Sequence, residues 1–198
     1  MNTNSIEAIV IDTETTGFKA NEVIEVAFIA LENLDSYPGN SLILQSKNHH
    51  KFEQRYKPKT VIEYGAQRLH GISMSDVAHC PSFSAKELPI PTSAKFIIGH
   101  NISYDLRALN GKFSDFDFAE HFQLLPICTL KLARKLWPDL KSKKLVDIVN
   151  TNYPDVAQAL IKDAHAAMRD SLLTLLILHD IVEQYECKSW KDVYDLQS

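Results

Sequence analysis

The segment Ile9-Val10-Ile11-Asp12-Thr13-Glu14-Thr15-Thr16-Gly17 decides the fold of this chain. Its β-branched apolar run predicts a buried strand over residues 8–13, and the Thr-Thr-Gly triplet predicts the turn that ends it. Because side chains alternate along a strand, Asp12 and Glu14 leave on the same face. Two carboxylates this close repel each other unless a cation or a proton lies between them. The segment therefore suits a hard cation such as Mg²⁺, although a lone Asp-x-Glu is more often an ordinary exposed strand end.

The composition is that of an ordinary globular protein. The chain has 198 residues, of which 45% are hydrophobic and 23% are charged. We therefore expect a single domain over residues 1–198, with a core at about 6–184 and a short polar tail at 185–198. The net charge of −4 argues mildly against a nucleic-acid partner when it is read alone. That argument weakens if several of the acids bind metal, because bound cations cancel them locally.

The sequence offers no sign of a membrane segment or of secretion. No apolar run reaches the roughly 18 residues that a membrane span needs, and residues 1–5 lack the basic and apolar regions of a signal peptide. The three cysteines are far apart, with no metal or redox spacing between them. This usage is typical of a reducing compartment. We therefore expect a cytoplasmic protein with no membrane partner.

Two further acids are predicted to face the core. Asp105 falls in the first turn of a helix that begins near residue 103, where the helix dipole alone would favour an acid. However, Ala108 and Leu109 share its side of the helix, so Asp105 points inward. Asp170 interrupts an almost wholly apolar helix and shares a face with Leu173 and other apolar residues. A buried carboxylate without a partner is costly, so each needs a cation or a proton.

These acids suggest a two-metal site. The carboxylates of Asp12, Glu14, Asp105 and Asp170 carry four negative charges, which two divalent cations would neutralise. Two such cations roughly 4 Å apart form a clamp for in-line displacement at phosphorus. A histidine is the natural general base for the attacking water. His165 suits that role if it lies in the loop before the last long helix, because five residues of ideal helix would turn it about 140° away from Asp170.

The remaining pattern predicts a mixed α/β chain. A strand at 23–31 is expected to pair with the first strand as a hairpin, and a third strand falls within 41–57 with its register left open. Two more strands are predicted at 94–99 and 124–128. Helices are predicted at 60–69, closed by Gly71, at 130–136, capped by Thr129, and at 144–149, 156–162 and 168–182.

A basic stretch follows the last predicted strand. Lys131, Arg134 and Lys135 fall on one helical face, which is either a solvated surface or a contact surface for a phosphate backbone. Both interpretations stay open at this point. If the surface binds nucleic acid, we expect a second basic group to share the role, namely Lys51, Arg55, Lys57 and Lys59.

With these motifs together, the sequence resembles the DEDD superfamily of 3′–5′ exonucleases, in the branch that carries a catalytic histidine. The first family motif matches residues 11–17, the second matches Gly-His-Asn-Ile-Ser-Tyr-Asp at 99–105, and the third matches His165 to Asp170. A His-Gly-Ile triplet at 70–72 matches the middle signature. The stretch at 127–138 is most similar to the exonuclease X group of that family.

The resemblance implies an RNase H-like fold, with a mixed central sheet of about five strands flanked by helices. It also implies two ions of Mg²⁺ or Mn²⁺ per site, bound by Asp12, Glu14, Asp105 and Asp170, with His165 as the general base. The substrate would be held by residues of the three motifs and of the basic helix, namely Thr13, Thr15, Thr16, His70, Asn101, Tyr104, Lys131, Arg134 and Lys135.

Three functions compete on this basis. The leading hypothesis is a metal-dependent 3′–5′ exonuclease that acts on DNA with a free 3′ end, releases nucleoside 5′-monophosphates, and serves DNA repair or nucleic-acid turnover. The alternative is the same chemistry on RNA, since one two-metal site cleaves both backbones. Only the similarity to exonuclease X favours DNA. The third is an inactive nucleic-acid-binding module, which would have lost metal ligands, whereas all five catalytic positions are present here.

Overall fold

One mixed five-stranded sheet organises the molecule. The computed structural model describes residues 5–19, 21–34, 50–112, 114–155 and 166–198. Its strands lie in the order β3-β2-β1-β4-β5, and they are β1 (Ala8–Thr15), β2 (Val23–Leu31), β3 (Lys51–Arg55), β4 (Phe96–Gly99) and β5 (Leu125–Cys128). The pairs β1–β2 and β2–β3 are antiparallel, whereas β1–β4 and β4–β5 are parallel. The predicted mixed sheet of about five strands is confirmed.

The first strand is longer than predicted. It continues through Glu14, which pairs with Glu25 of β2, to Thr15, which pairs with Val23 after an irregularity in the ladder. The polar end of β1 stays extended because β2 is apolar along nearly its whole length and holds it by pairing. Both acids of the Asp-x-Glu motif therefore lie inside the strand, and their positions are fixed by the ladder.

The helices cover both faces of the sheet. The described residues form α1 (Tyr64–His70), α2 (Met74–Val77), α3 (Ser103–Asn110), α4 (Phe118–His121), α5 (Thr129–Leu136), α6 (Leu145–Asn152), α7 (Ala166–Gln184) and α8 (Trp190–Asp195). A 3₁₀ turn spans Ala85–Glu87. Within the described ranges, none of these helices combines the length and apolar character that crossing a membrane requires.

The sheet separates two hydrophobic layers. Ala8 and Val10 of β1 pack in the layer that contains α5, α6, α7 and α8. Ile9 and Ile11 pack in the opposite layer, which contains α3 and α4. Because side chains alternate along β1, the even-numbered positions that follow, Asp12 and Glu14, lie on the α7 side.

The starts of α1 and α5 differ from the predictions. The helix expected at 60–69 begins only at Tyr64, whereas its predicted end is confirmed by Gly71, which adopts a left-handed conformation with φ of 77°. Thr129 was predicted as a cap, and this is wrong because Cys128 occupies the N-cap position. The buried Thr129 hydroxyl instead lies 3.0 Å from His100 Nδ1. The helix predicted at 156–162, and residues 41–49 of the third strand region, lie outside the described residues.

The last segment is part of the core. Trp190 and Val193 of α8 are fully buried, and the Trp190 indole donates to the Glu32 carbonyl at 2.7 Å. The Gln197 side chain accepts from the Cys128 amide and donates to the Pro126 carbonyl on β5. Residues beyond 184 therefore pack into the core, because a few large apolar side chains in a polar stretch are enough to dock it.

Candidate active site

Three carboxylates meet where β1 packs against α7. Asp12 and Glu14 project from β1, and Asp170 projects from the first two turns of α7. One oxygen from each of the three lies within 4.8 Å of the others, and all three side chains are half-buried. Strand alternation and the packing of α7 on that face bring the acids together. Oxygen ligands of this kind and spacing suit a hard divalent cation.

Asp105 approaches from the other layer of the molecule. It lies in the first turn of α3 and is 3% exposed. The Thr13 amide and the Thr13 hydroxyl both donate to Asp105 Oδ1, at 3.0 and 2.8 Å. Asp105 is not one of the three acids whose oxygens lie within 4.8 Å of one another, but its charge raises the pKa of Asp12. Thr13, which lies between Asp12 and Glu14 in the strand, therefore holds Asp105 beside the other three acids.

The electrostatics of the four acids favour bound cations. Burial, followed by the charges of Asp105 and Asp170, raises the pKa of Asp12 well above its ordinary value. Burial and the Asp170 charge raise the pKa of Glu14 to about 8. Burial raises the pKa of Asp105 to about 7 although the Thr13 hydrogen bonds oppose it, and burial also raises the pKa of Asp170. Divalent cations would relieve this repulsion, so the donor set fits them.

Two residues that support the acid cluster, Arg169 and Glu25, were not predicted from the sequence. Arg169 donates from Nε to Asp170 Oδ1 at 3.1 Å. Its positive charge offsets part of the rise that burial causes in the pKa values of Asp12 and Glu14. Glu25 is fully buried and lies opposite Glu14 across the β1–β2 ladder. It accepts from Arg55 Nε at 2.8 Å and from the Ala167 amide, at the start of α7, at 3.0 Å. The signal in the sequence was a single acid within an otherwise apolar strand.

The residues predicted to hold a nucleotide surround the end of β1. Thr15 Oγ1 lies 2.8 Å from the Tyr104 hydroxyl, so α3 is tied directly to the strand. The Tyr104 ring meets Phe18 edge-on at 6.1 Å, and Phe18 is 84% exposed. Thr16 is fully buried, and its hydroxyl accepts from the Glu22 amide at 3.1 Å. Thr16 thus supports the turn, whereas Tyr104 borders the open site.

His70 carries an unused polar atom near this site. Its Nδ1 accepts from the Ile72 amide at 3.0 Å, in the turn that Gly71 makes. Its Nε2 is buried and has no hydrogen-bond partner among the described residues. Burial lowers the pKa of His70, which favours the neutral ring. Because an unpaired buried donor is costly, this atom is available to a ligand. Asn101 is exposed, and it adopts a left-handed backbone (φ 69°) two residues after the end of β4.

The remaining predicted site residues are the basic face of α5 and the general base His165. Lys131, Arg134 and Lys135 form the exposed face of α5, and Arg134 is close enough to lower the pKa of His100. Lys135 donates to the Ser198 carbonyl. Arg55, expected on the nucleic-acid surface, is instead engaged by buried Glu25. His165 lies outside the described residues, so its predicted role as a general base stays a prediction.

Comparisons with known proteins agree with this geometry. The profile of the RNase T exonuclease family matches residues 9–178. The chain is 29% identical over 189 residues to DNA polymerase III subunit epsilon of Buchnera aphidicola, covering 88% of this chain and 72% of that protein. It is 25% identical over 173 residues to exodeoxyribonuclease 10 of Escherichia coli K12, covering 87% of this chain and 67% of that protein.

Solved structures share the fold. Exonuclease X in complex with 5′ overhanging duplex DNA matches with a TM-score of 0.66 and 23% identity, covering 96% of this chain and 99% of that one. Escherichia coli exonuclease I in complex with a dA16 oligonucleotide matches with a TM-score of 0.66 and 16% identity, covering 95% of this chain and 42% of that one. The RNase H-like fold expected from the motifs is therefore confirmed.

Proposed function

This chain belongs to the RNase T family of exonucleases, which act on nucleic acid, and we propose that it removes nucleotides from the 3′ end of DNA. Each cycle hydrolyses the terminal phosphodiester and releases a nucleoside 5′-monophosphate. The observation that carries this proposal is the group formed by Asp12, Glu14 and Asp170, with oxygens within 4.8 Å of one another. A protein that only bound nucleic acid would have no use for so costly a cluster.

We propose that two divalent cations, Mg²⁺ or Mn²⁺, occupy the site. Asp12, Glu14 and Asp170 would hold them from the α7 side, and Asp105 would complete the set from the α3 side. When bound, the ions supply a clamp on the attacking and leaving oxygens of the phosphodiester. Thr13 keeps Asp105 in place through two hydrogen bonds. His165, next to Ala166 at the start of α7, would take the proton from the attacking water.

The terminal nucleotide would lie along the end of β1. The backbone of Thr13, Thr15 and Thr16 would border it, the neutral His70 would donate from its unpaired Nε2, and Asn101 and Tyr104 would close the far side. The strand backbone would pass over the exposed basic face of α5, namely Lys131, Arg134 and Lys135. Contacts to phosphate and sugar carry no sequence information, so we expect weak sequence preference.

DNA is the preferred substrate in this proposal because of the relatives. One is a DNA polymerase subunit, one is an exodeoxyribonuclease, and one similar structure contains duplex DNA. A role in DNA repair or nucleic-acid turnover would follow from that activity. The alternative, cleavage of RNA, uses the same metal chemistry and differs in contacts to the 2′-hydroxyl.

A paired digestion tests the proposal. Matched DNA and RNA oligonucleotides, labelled at the 5′ end, are incubated with Mg²⁺ and wild type, Asp12→Asn or His165→Ala. We expect a shrinking DNA ladder that EDTA and either substitution abolish, with Lys95→Gln as a surface control that retains activity. If only the RNA oligonucleotide is shortened, the protein is a 3′–5′ exoribonuclease and the DNA proposal is wrong. If neither substrate shortens although both are retained in a gel shift, the binding-module interpretation replaces this one.

A further inference from the structure

A cationic cavity lies beside the proposed active site, and it contains Lys57 and Lys59 of the second basic group that the sequence predicts to contact nucleic acid. Its volume is about 780 Å³, and it is walled by the turn after β1, the segment after β3, the 3₁₀ turn and the end of α3. Among the described residues that line it are a single acid, Glu22, and the lysines Lys19, Lys57, Lys59, Lys86 and Lys112. The whole chain has a net charge of −4, so this concentration of positive charge runs against the composition. We call this feature the lysine cavity.

The floor of the lysine cavity is apolar and partly aromatic. Val23 and Leu109 are buried beneath it, and Phe83 and Phe116 line it. Lys86 Nζ lies 5.4 Å from the centre of the Phe116 ring. Ammonium groups above aromatic rings match a ligand with phosphates on one side and bases on the other. The cavity volume also falls within the range of ordinary ligand sites.

Two of the lysines are held in place but carry free charges. The Lys57 amide donates to the Pro81 carbonyl at 2.8 Å, and the Lys59 amide donates to the Glu22 carboxylate at 2.7 Å. Within the part of the chain that the structure describes, neither ammonium group has a hydrogen-bond or ion-pair partner. The backbone therefore fixes where the two charges stand, and a polyanion would relieve their mutual repulsion.

The lysine cavity adjoins a second cavity that reaches Tyr104 at the border of the active site. It shares Asn21, Asn110, Gly111 and Lys112 with a second cavity of about 580 Å³, which Phe18, Tyr104 and Arg107 border. Tyr104 in turn contacts Thr15, the residue after Glu14. The two adjoining cavities therefore connect the lysines to Tyr104, whose hydroxyl contacts the end of β1.

We propose that the lysine cavity binds the phosphate backbone of the substrate strand, several nucleotides before the one being removed. This inference rests on the proposed function, since it places the strand relative to the same site. It makes Lys57 and Lys59 positioning residues for long substrates, whereas a substrate too short to reach the cavity does not use them.

The test compares Lys57→Gln/Lys59→Gln with a matched control, Lys95→Gln/Lys188→Gln, which removes two lysines outside the cavity. Hydrolysis of a single-stranded 20-mer and of a dinucleotide is measured with Mg²⁺. Binding of a fluorescent 20-mer is measured by anisotropy in EDTA, where no cleavage occurs. We expect the cavity variant to raise KM and Kd for the 20-mer on the order of tenfold, and to reduce the salt slope of log K by about 1.4, which is about 0.7 for each phosphate charge that the protein no longer neutralises. Dinucleotide hydrolysis and the control variant should match wild type.

Three outcomes would overturn the proposal. Unchanged 20-mer binding and salt slope would show that the lysines do not contact the strand. An equal loss of hydrolysis on the 20-mer and the dinucleotide would show that Lys57 and Lys59 support the active site or the fold. Circular dichroism would distinguish these two cases. Weaker inhibition by thymidine 5′-monophosphate, with an unchanged 20-mer KM, would assign the cavity to the released product. If wild type cleaves nothing, the proposed function fails, while the anisotropy measurement still decides the cavity.

Discussion

Thr13 shows how much a single residue can do at this site. Its position between Asp12 and Glu14 puts its side chain on the opposite face of β1, towards α3. There its amide and hydroxyl both donate to Asp105 Oδ1. One threonine therefore sets the distance between an acid of one layer and the two acids of the other. A valine would keep the shape of this side chain but would remove one of the two hydrogen bonds.

Asp12 is the residue for which charge and stability conflict most directly. We expect Asp12→Asn to raise the melting temperature of the metal-free protein at pH 8, because it removes a carboxylate that burial and three neighbouring acids disfavour. Each kcal/mol gained corresponds to about 2–4 °C for a chain of this size. The gain should shrink as pH falls to 5, since the raised pKa of Asp12 favours its neutral form in the folded state.

Differential scanning fluorimetry in EDTA at both pH values measures this effect. Asp139→Asn, at an exposed site, serves as the matched control and should leave the melting temperature unchanged. Destabilisation by Asp12→Asn at pH 8 would mean that the carboxylate makes a favourable contact that outweighs the repulsion, and the electrostatic account of the site would be wrong.

At the scale of elements, Glu25 of β2 anchors the start of α7. Glu25 of β2 accepts from the Ala167 amide and from Arg55 of β3, so one buried carboxylate connects two strands to the first turn of α7. A carboxylate at a helix N-terminus is also favoured by the helix dipole. Because Asp170 is three residues further along the same helix, this anchor sets how far Asp170 reaches towards Asp12.

We expect Glu25→Gln to lower the free energy of unfolding by about 2–3 kcal/mol, because it breaks a buried ion pair and leaves Arg55 without its partner. The Mg²⁺ concentration that gives half-maximal exonuclease activity should also rise, since Asp170 is held less firmly. Glu7→Gln removes the carboxylate of the looser surface pair with Lys95, at 3.7 Å, and should cost less than about 1 kcal/mol.

Urea denaturation and metal titration of the two variants measure these effects, and hydrogen exchange of the amides at the start of α7 locates them. Unchanged exchange in that turn, together with an unchanged metal requirement, would show that Glu25 acts on stability alone and does not position Asp170.

The elements that were predictable and those that were not differ in the range of their contacts. The β1–β2 hairpin, the end of α1 at Gly71 and the inward orientation of Asp105 follow from local periodicity and turn chemistry. The Glu25 anchor joins residues 142 positions apart, and no local pattern announces such a contact. A terminal helix was possible from the sequence, but the packing of α8 against the core was not predicted, because Trp190 and Val193 are too few to give a periodic signal.

At the scale of the whole molecule, the acid cluster couples stability to pH and to metal. In the folded state burial raises the pKa of Glu14 to about 8 and that of Asp105 to about 7, from ordinary values of 4.5 and 3.8. The folded protein therefore binds more protons than the unfolded chain between about pH 4 and pH 8. Stability is largest below the ordinary values and falls as pH rises through this window.

We expect the melting temperature of the metal-free protein to fall between pH 5 and pH 8, and millimolar Mn²⁺ to restore it. The gain from Mn²⁺ should be larger at pH 8 than at pH 6, because the ion competes with protons for the same oxygens. Thermal scans with EDTA or Mn²⁺ test this, and Asp12→Asn/Glu14→Gln, which removes two of the metal ligands, should show a smaller gain from Mn²⁺ and a smaller dependence on pH. Equal gains from Mn²⁺ at both pH values would show that the ion does not displace protons from the cluster.

The docking of residues 190–198 has a consequence for how copies of this protein behave towards one another. β5 is the outermost strand of its side of the sheet, and such a strand can template intermolecular pairing and aggregation. Pro126 has no amide hydrogen to offer such a partner. The Gln197 side chain accepts from the Cys128 amide and donates to the Pro126 carbonyl, so it makes hydrogen bonds that a sixth strand would otherwise make. Gln197 thus covers part of a strand edge that would otherwise be open to pairing with another chain, and it does so far from the acid cluster.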